Sequence, residues 1–507
     1  MTAVATATAP GVCRLAGLLA GFLCLVNTAS VAGPWVEVGR SDLRSDIQVL
    51  ADAGIIRGPV TTWPLSWSDI SSDLADFSGA LSDYEAAALM RVRTAAGQQM
   101  RSDEVINHAR LALSEKPVQI RSFEGTPREK GEAQVGASWI GERFTYRLQS
   151  TFVWDPQDGK DVRLDGSYVG MALGNWSLAL SAQERWWGPG WQSSLIYSNN
   201  ARPIPSITLD RSSTDPFKTK WLAWLGHWDL TVQLGQMENN RAIPETLFFG
   251  MRLTFKPLRN LEIGLSRTAQ LCGEGRSCDF DIWTNMLIGN DNRGTNVAPE
   301  DEPGNQLAGY DVRWSNRVFG RPFALYGQMI GEDEGNRLPN TFIGQFGLET
   351  WGQLEALGTY RLFLEWSDTV CNFPLVFGDG GSGSEADCAY NHPIYESGYR
   401  RYGRSMGAAF DNDASVFTFG TLLTDNRNNT WRLRLGYGDL NRILEPDPAN
   451  TVAQVETRYR EIELGHRRVT RFGDFNIGLG YETRRNTVTQ QSDSDARVFI
   501  EWVYDTW

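Results

Sequence analysis

From Ser41 to about Leu113 the apolar residues recur at helical spacing, and beyond Pro117 the period falls to two and stays there to the C-terminus. The helical part divides into three segments. The first presents Leu43, Ile47 and Leu50, starting at Ser41 and stopping at Gly54, and the second presents Ile70, Leu74 and Phe77. The third opens on Ser82 and Glu85, an S-x-x-E capping box in which each side chain satisfies a backbone N–H at the helix start. It sets Tyr84, Ala88, Val92 and Ala95 on one side. These faces can cover one another, so a small helical module is predicted within residues 33–116. It is placed on the side where the chain enters, because it precedes the first strand.

The strand part separates two faces repeatedly. Phe144, Tyr146, Leu148, Phe152 and Trp154 alternate with Arg143, Thr145, Arg147, Gln149 and Thr151. Trp176, Leu178 and Leu180 oppose Ser177, Ser181 and Gln183. Leu247, Phe249, Met251, Leu253 and Phe255 oppose Thr246, Arg252, Thr254 and Lys256. Tyr360, Leu362, Leu364 and Trp366 alternate with Thr359, Arg361, Glu365 and Ser367, and Trp431, Leu433 and Leu435 alternate with Thr430, Arg432 and Arg434. An antiparallel sandwich with one wet face also gives such alternation. Segments of about ten residues, aromatic residues at segment ends, and the lack of a second strand class that would build a soluble core favour a membrane barrel instead. The reading is therefore mainly β: a transmembrane antiparallel β-barrel of about 18 strands over residues 117–507, preceded by the helical module. The last strand, Val498, Ile500, Trp502 and Tyr504, has the aromatic character of an outer-membrane C-terminus, although Trp507 falls out of its phase.

The N-terminus changes the compartment. Arg14 precedes an apolar run from Leu15 to Val26, too short for a spanning helix but suited to an export signal, and Ser30-Val31-Ala32 places cleavage after Ala32. No later run is long and apolar enough to span as a helix. A barrel needs none, since only every second strand residue meets lipid. Residues 1–32 are thus read as a leader, and the mature chain as an outer-membrane protein reached through the periplasm, with outer-membrane lipid around it and the helical module on its periplasmic side.

Cys13 and Cys24 leave with that leader. Of the remaining four, Cys272 and Cys278 share one Gly-rich stretch and Cys371 and Cys388 flank another, so two loop-local disulfides are expected in an oxidising compartment. Metal binding by these four finds no support in C-x-x-C spacing or an adjacent histidine pair. The net charge of −13 argues against nucleic acid as a partner. Gly, Asp and Asn rich stretches at Asn290 to Gly304, Phe377 to Tyr390 and Asp439 to Thr451 are predicted extracellular loops.

Two aromatic clusters suit carbohydrate. Arg185-Trp186-Trp187-Gly188-Pro189-Gly190-Trp191, with Tyr197, offers indoles that stack on sugar faces and an arginine that pairs with a uronic carboxylate. A membrane girdle or a folded-in plug, in which the rings only pack, explains the same residues. The second cluster, Tyr390, Asn391, His392, Tyr395, Tyr399, Arg400, Arg401 and Tyr402, mixes rings with cations, and an ordered loop re-entering the wall is its alternative. Gly403-Arg404-Ser405-Met406-Gly407 matches G-x-S-x-G, with His392 and His466 as conceivable bases, but Ala408 to Thr424 reads as turn and strand where a nucleophile elbow needs a helix. Glu332, Asp333 and Glu334 read as solvated loop charge rather than a glycosidase carboxylate pair.

In order along the chain, these fragments resemble the Wzi family of capsule assembly proteins. The resemblance rests on Trp63-Pro64-Leu65-Ser66-Trp67-Ser68-Asp69-Ile70, the Arg185 to Trp191 stretch, and Phe255-Lys256-Pro257-Leu258 leading to Gly264-Leu265-Ser266-Arg267-Thr268-Ala269-Gln270. It continues through Gly331-Glu332-Asp333-Glu334 and Tyr390-Asn391-His392 to Gly398-Tyr399-Arg400. It implies an 18-stranded outer-membrane barrel with a periplasmic helical bundle, acting as a lectin that holds secreted capsular or extracellular polysaccharide at the cell surface, with no catalysis and no cofactor. A monomer is expected, with polysaccharide export machinery as a further partner. The mechanism expected from the sequence has lumen-facing arginines and loop aromatics binding an acidic polymer weakly at many points. A channel and an outer-membrane hydrolase are the alternatives.

Overall fold

The computed structural model describes residues 34–288, 304–332, 341–374, 388–442 and 446–506. The predicted leader, Asp333, Glu334, Trp507 and large parts of the first two predicted loops lie outside the described residues.

Alternating sequence becomes a closed antiparallel barrel of eighteen strands, each paired to its neighbours in chain order. The strands are β1 (Ile106–Ser114), β2 (Gly131–Ile140), β3 (Phe144–Trp154), β4 (Val162–Arg163 continuing as Tyr168–Leu173), β5 (Trp176–Ser181) and β6 (Ser206–Arg211). They continue as β7 (His227–Gln236), β8 (Leu247–Leu258), β9 (Leu261–Leu271), β10 (Gly304–Val318), β11 (Arg321–Glu332) and β12 (Thr341–Leu354). The last six are β13 (Gly358–Pro374), β14 (Ser415–Thr424), β15 (Thr430–Leu440), β16 (Thr457–Thr470), β17 (Gly473–Asn486) and β18 (Ser492–Asp505). Both parts of β4 pair with β3, so they count as one interrupted strand. β18 closes on β1, with Phe499 opposite Ser114 and Tyr504 opposite Ala109, and no free edge remains in the wall.

The faces are inverted relative to a soluble protein. Phe144, Leu148, Phe152, Leu364, Trp431 and Leu435 point out and stay exposed, forming an apolar band that lipid can solvate. Their polar neighbours Arg252, Thr254, Arg361, Glu365 and Arg434 point into the lumen and are buried. A charge in the lumen needs a partner, and the wall supplies it: Arg252 pairs with Asp311 at 2.6 Å, Arg434 with Glu461 at 3.0 Å, and Arg361 with Glu349 at 2.6 Å.

The helical module forms, with its first helix bounded and its third helix started as predicted. Helix α1 (Ser41–Asp52) ends before Gly54, whose φ of +69° is the left-handed conformation glycine adopts without a Cβ penalty. Helix α2 spans Trp67–Asp76, and α3 (Asp83–Gln99) opens on the Ser82/Glu85 capping box. Leu43, Ile47, Leu50, Ile70, Leu74, Ala88 and Val92 share one core with Trp351 and Ala324 of the barrel wall, so the helices cover the barrel as well as one another. One expectation needs correction. The residues up to Leu113 read as helical, whereas Ile106–Ser114 is the first barrel strand, because it is the strand that β18 requires to close the sheet.

Except for the β6–β7 connection, the hairpin turns at one end are short, and the module sits at that end. Arg313 of β10 meets Asp52 at 2.5 Å, Arg361 of β13 donates to Ser45 at 2.9 Å, and Arg467 of β16 meets Asp42 at 2.9 Å. The longer connections, including those carrying the cysteines, lie at the opposite end. There Cys272 is bonded to Cys278 and Cys371 to Cys388, with Cα separations of 4.9 and 6.2 Å.

Candidate functional site

The connection between β5 and β6 does not loop away from the barrel. It folds into the lumen, and Trp186, Trp187, Trp191, Leu195, Ile196 and Tyr197 are all buried there. Trp186 and Trp187 pair as a short strand with Thr62 and Trp63 of the helical module, and Phe123 wedges edge-on between Trp63 and Trp186 with centroids 5.0 and 5.4 Å away. The wall grips the segment from its polar face. Gln328 donates to the Trp187 carbonyl at 2.8 Å and accepts from Leu195 N at 2.7 Å, Gln345 donates to the Ser193 carbonyl at 3.0 Å, and the Trp191 indole donates to Glu349 at 2.8 Å. Gly190 is required at this crossing, since a Cβ there would run into the Ser193 carbonyl and the Gln345 amide.

The second aromatic cluster folds in beside the first. The Tyr390 hydroxyl donates to the Leu195 carbonyl at 2.5 Å, Tyr399 to the Ile196 carbonyl at 2.8 Å, and Tyr395 to the Cys272 carbonyl at 2.9 Å. Arg400 forks onto Asp411, 2.7 and 2.9 Å from its carboxylate, and onto Asn391 at 2.6 Å. Arg185 lies 3.5 Å from Asp210, and Tyr197 packs edge-on against Trp187 and Phe248. The structure therefore brings Arg185, Trp186, Trp187, Trp191, Tyr197, Tyr390, Tyr395, Tyr399 and Arg400 together, but as the interior of a plug. All of them are buried there and largely held by protein groups, whereas a sugar contact at the surface needs an exposed ring face or cation.

A helix of the module is locked to this plug by Arg44. Its guanidinium stacks 4.4 Å from the Phe123 ring and 4.3 Å from the Trp191 ring and donates to the Pro189 carbonyl at 2.8 Å. Burial lowers its pKa to about 9, against the pull of the Glu349 and Glu365 carboxylates nearby.

Between the module and the inner faces of β1–β4 and β16–β18 lies a cavity of about 600 Å³. Its arginines were expected to offer free positive charge to an acidic polymer. Most do not. Arg110 pairs with Glu132 at 2.5 Å, Arg147 with Glu37 at 3.1 Å, and Arg128 with Glu184 at 2.6 Å, so the cavity is polar but largely neutralised from within.

At the long-loop rim a second, open cleft of about 450 Å³ is lined by Val452, Ala453, Thr457, Arg484, Asn486, Gln491, Ser492 and Asp493. Gln491, Ser492 and Asp493 are exposed, and Arg484 is steadied by the Val452 carbonyl at 2.6 Å and Gln119 at 3.0 Å. Arg484 also pairs with Glu482, so it holds the cleft in shape while the amide, hydroxyl and carboxylate of Gln491, Ser492 and Asp493 supply the mixed donors and acceptors that match sugar hydroxyls. Sequence reasoning missed this set, because these residues are ordinary polar hairpin residues and only the fold brings Val452 to Thr457 beside them.

The serine motif does not form an elbow. Arg404-Ser405 pairs as a two-residue strand with Arg400-Arg401, the Ser405 side chain is buried, and no helix follows. His392 accepts from the backbone N–H groups of Ile394 and Tyr395, and His466 stacks on the Trp431 ring, itself on the outer face.

The comparisons with known proteins agree with this architecture. A family profile described as "Capsule assembly protein Wzi" matches residues 101–498. A Klebsiella pneumoniae protein described as an "uncharacterized 55.8 kDa protein in cps region" is 31% identical over 446 residues, covering 85% of this chain and 82% of its own. The solved structure of Escherichia coli Wzi, described as an outer membrane protein involved in group 1 capsule assembly and a carbohydrate binding beta-barrel, superposes with a TM-score of 0.77 at 27% identity. That match covers 93% of this chain and 99% of the other. With the barrel and most of the chain matched together, this protein belongs to the Wzi family of capsule assembly proteins.

Proposed function

We propose that the protein is an outer-membrane, non-catalytic carbohydrate-binding barrel that holds capsular or extracellular polysaccharide at the cell surface. The observation that carries this reading is the match along nearly the whole chain to a solved carbohydrate-binding barrel. Where binding occurs follows from the filled lumen. Helices occupy the short-turn end and the two inserted segments occupy the other, so a polymer outside the cell meets the long-loop rim rather than a pore. The rim cleft with Arg484, Gln491, Ser492 and Asp493 is the sugar-facing set, and the helical module faces the periplasm, where export machinery can reach it. One cleft binds weakly. A repeating polymer multiplies that binding across many copies on one cell.

The test is retention of polysaccharide from the protein's own host by purified, detergent-folded barrel. Wild type is expected to retain polymer, and Arg484→Ala with Gln491→Ala to fold normally yet weaken retention by about tenfold, the loss of one or two hydrogen bonds per site. If wild type retains nothing, the reading fails. The internal cavity of about 600 Å³ favours a solute path as the second reading, and ion conductance of the intact barrel would then decide it.

A further inference from the structure

The segment after β9 leaves the rim outward. Cys272, at the top of β9, is bonded to Cys278, and helix α4 (Phe280–Ile288) begins two residues later. One face of α4, formed by Ile282, Trp283 and Met286, packs against Val232, Leu247, Phe249, Met251, Ala269 and Leu271. Those six residues belong to the outward stripes of β7, β8 and β9: the alternate positions Phe248, Arg252, Thr254, Ser266 and Thr268 face the lumen and are buried there. The helix therefore lies against the outside of the wall. Phe249 is the clearest sign, an outward residue only 8% exposed because Trp283 meets its ring edge-on at 6.4 Å.

The depth follows from the strand. Met251 is the fifth residue of β8 from its upper end, which for a tilted strand is about 10 Å below the rim. That is the depth of one leaflet's acyl region rather than of water. The face of α4 turned away from the wall carries Phe280 at 74% and Leu287 at 54% exposure. Thr284 lies between them and donates its hydroxyl to the Phe280 carbonyl at 3.0 Å, so it offers a methyl group. After Asp281 the helix has no charged residue, and the acids Asp279 and Asp281 stand at its rim end.

From this arrangement we infer that α4 is immersed in the outer leaflet, its Phe280/Leu287 face contacting lipid acyl chains as a disulfide-tethered extension of the barrel's apolar band. The occupant is lipid because the face continues a surface already built for it, at the same depth, on the same outer wall. The helix also shields the wall. Phe249, Ala269 and Leu271 beneath it are buried although they face outward.

This inference rests on the reading of the barrel as membrane-embedded, and the experiment separates the two. Nitroxide labels on Leu287→Cys, on Leu348→Cys in the barrel band and on Val488→Cys at the exposed β17–β18 turn are compared in vesicles of phosphatidylethanolamine and phosphatidylglycerol. Accessibility is read against oxygen and a water-soluble nickel chelate. The Leu287 label is expected to match Leu348, with an oxygen preference several-fold above Val488. A Leu287 label as open to nickel as Val488 overturns the inference while leaving the barrel reading standing, and water access at Leu348 overturns both. Spin–spin broadening at Leu287 that disappears on dilution with unlabelled protein also overturns it, since the face would then seat a second copy of the chain.

Discussion

Glu349 shows how much the lumen depends on single charges. It accepts from Arg361 at 2.6 Å, from Arg313 at 2.9 Å and from the Trp191 indole at 2.8 Å, joining two wall strands to the plug. Glu349→Gln keeps the shape but leaves the buried Arg361 guanidinium without its carboxylate and Arg313 with Asp52 alone, with an expected cost of about 3–5 kcal/mol. The check is the temperature at which the folded band converts to the unfolded one on unboiled gels, which should fall. Asp69 of α2 is a second case, outside the wall. Burial raises its pKa to about 6, although Thr214 N–H donates to it at 2.9 Å. Between about pH 4 and pH 6 the folded carboxyl keeps a proton that the unfolded one has released, so stability falls as pH rises through that window. Asp69→Asn is expected to remove this slope, at most about 3 kcal/mol across the window, in thermal melts compared with wild type across pH 4 to 7.

The inserted segments are elements whose composition was legible and whose location was not. The Arg185 to Trp191 stretch stood out as a dense aromatic run that fitted either a sugar platform or a folded-in plug. Deciding between them needs the partners Thr62, Phe123, Gln328 and Gln345, which are remote in sequence. Trp186→Ala with Trp187→Ala is expected to cost roughly 3–5 kcal/mol per indole and to loosen the plug while the wall persists. Limited proteolysis should then cut between residues 182 and 205, a stretch wild type protects, with the strand content by circular dichroism unchanged. The strands were far more legible: alternation assigned lipid and lumen faces in β3, β8, β13 and β15 because lipid on one side and charge on the other impose a period of two. Even so, Phe249 kept its outward direction but not its exposure, since alternation carries no information about a helix laid over the wall.

At the scale of the molecule, the barrel is closed by its own N-terminus and its own loops. Arg313–Asp52, Arg361–Ser45 and Arg467–Asp42 dock the module on three separate strands, so no single contact holds it. A barrel beginning at residue 101, where the family match starts, is expected to conduct ions in planar bilayers more readily than the intact protein, with the inserted segments that remain keeping it below an open pore. Equal conductance of the two would show that the module does not obstruct the lumen.

The sequence by itself determined the barrel, its inverted faces, the bounds of the first helix and the start of the third, and the family, because these depend on local period and on ordered short motifs. Tertiary structure alone decided that β1 begins at Ile106, that lumen arginines are neutralised by carboxylates, that the aromatic clusters form a plug, and that Arg484 and Asp493 share a rim cleft. The physical reason is the same in each case. Closure, charge pairing and burial depend on which distant segments meet, and strand periodicity fixes the direction of a side chain without fixing what covers it.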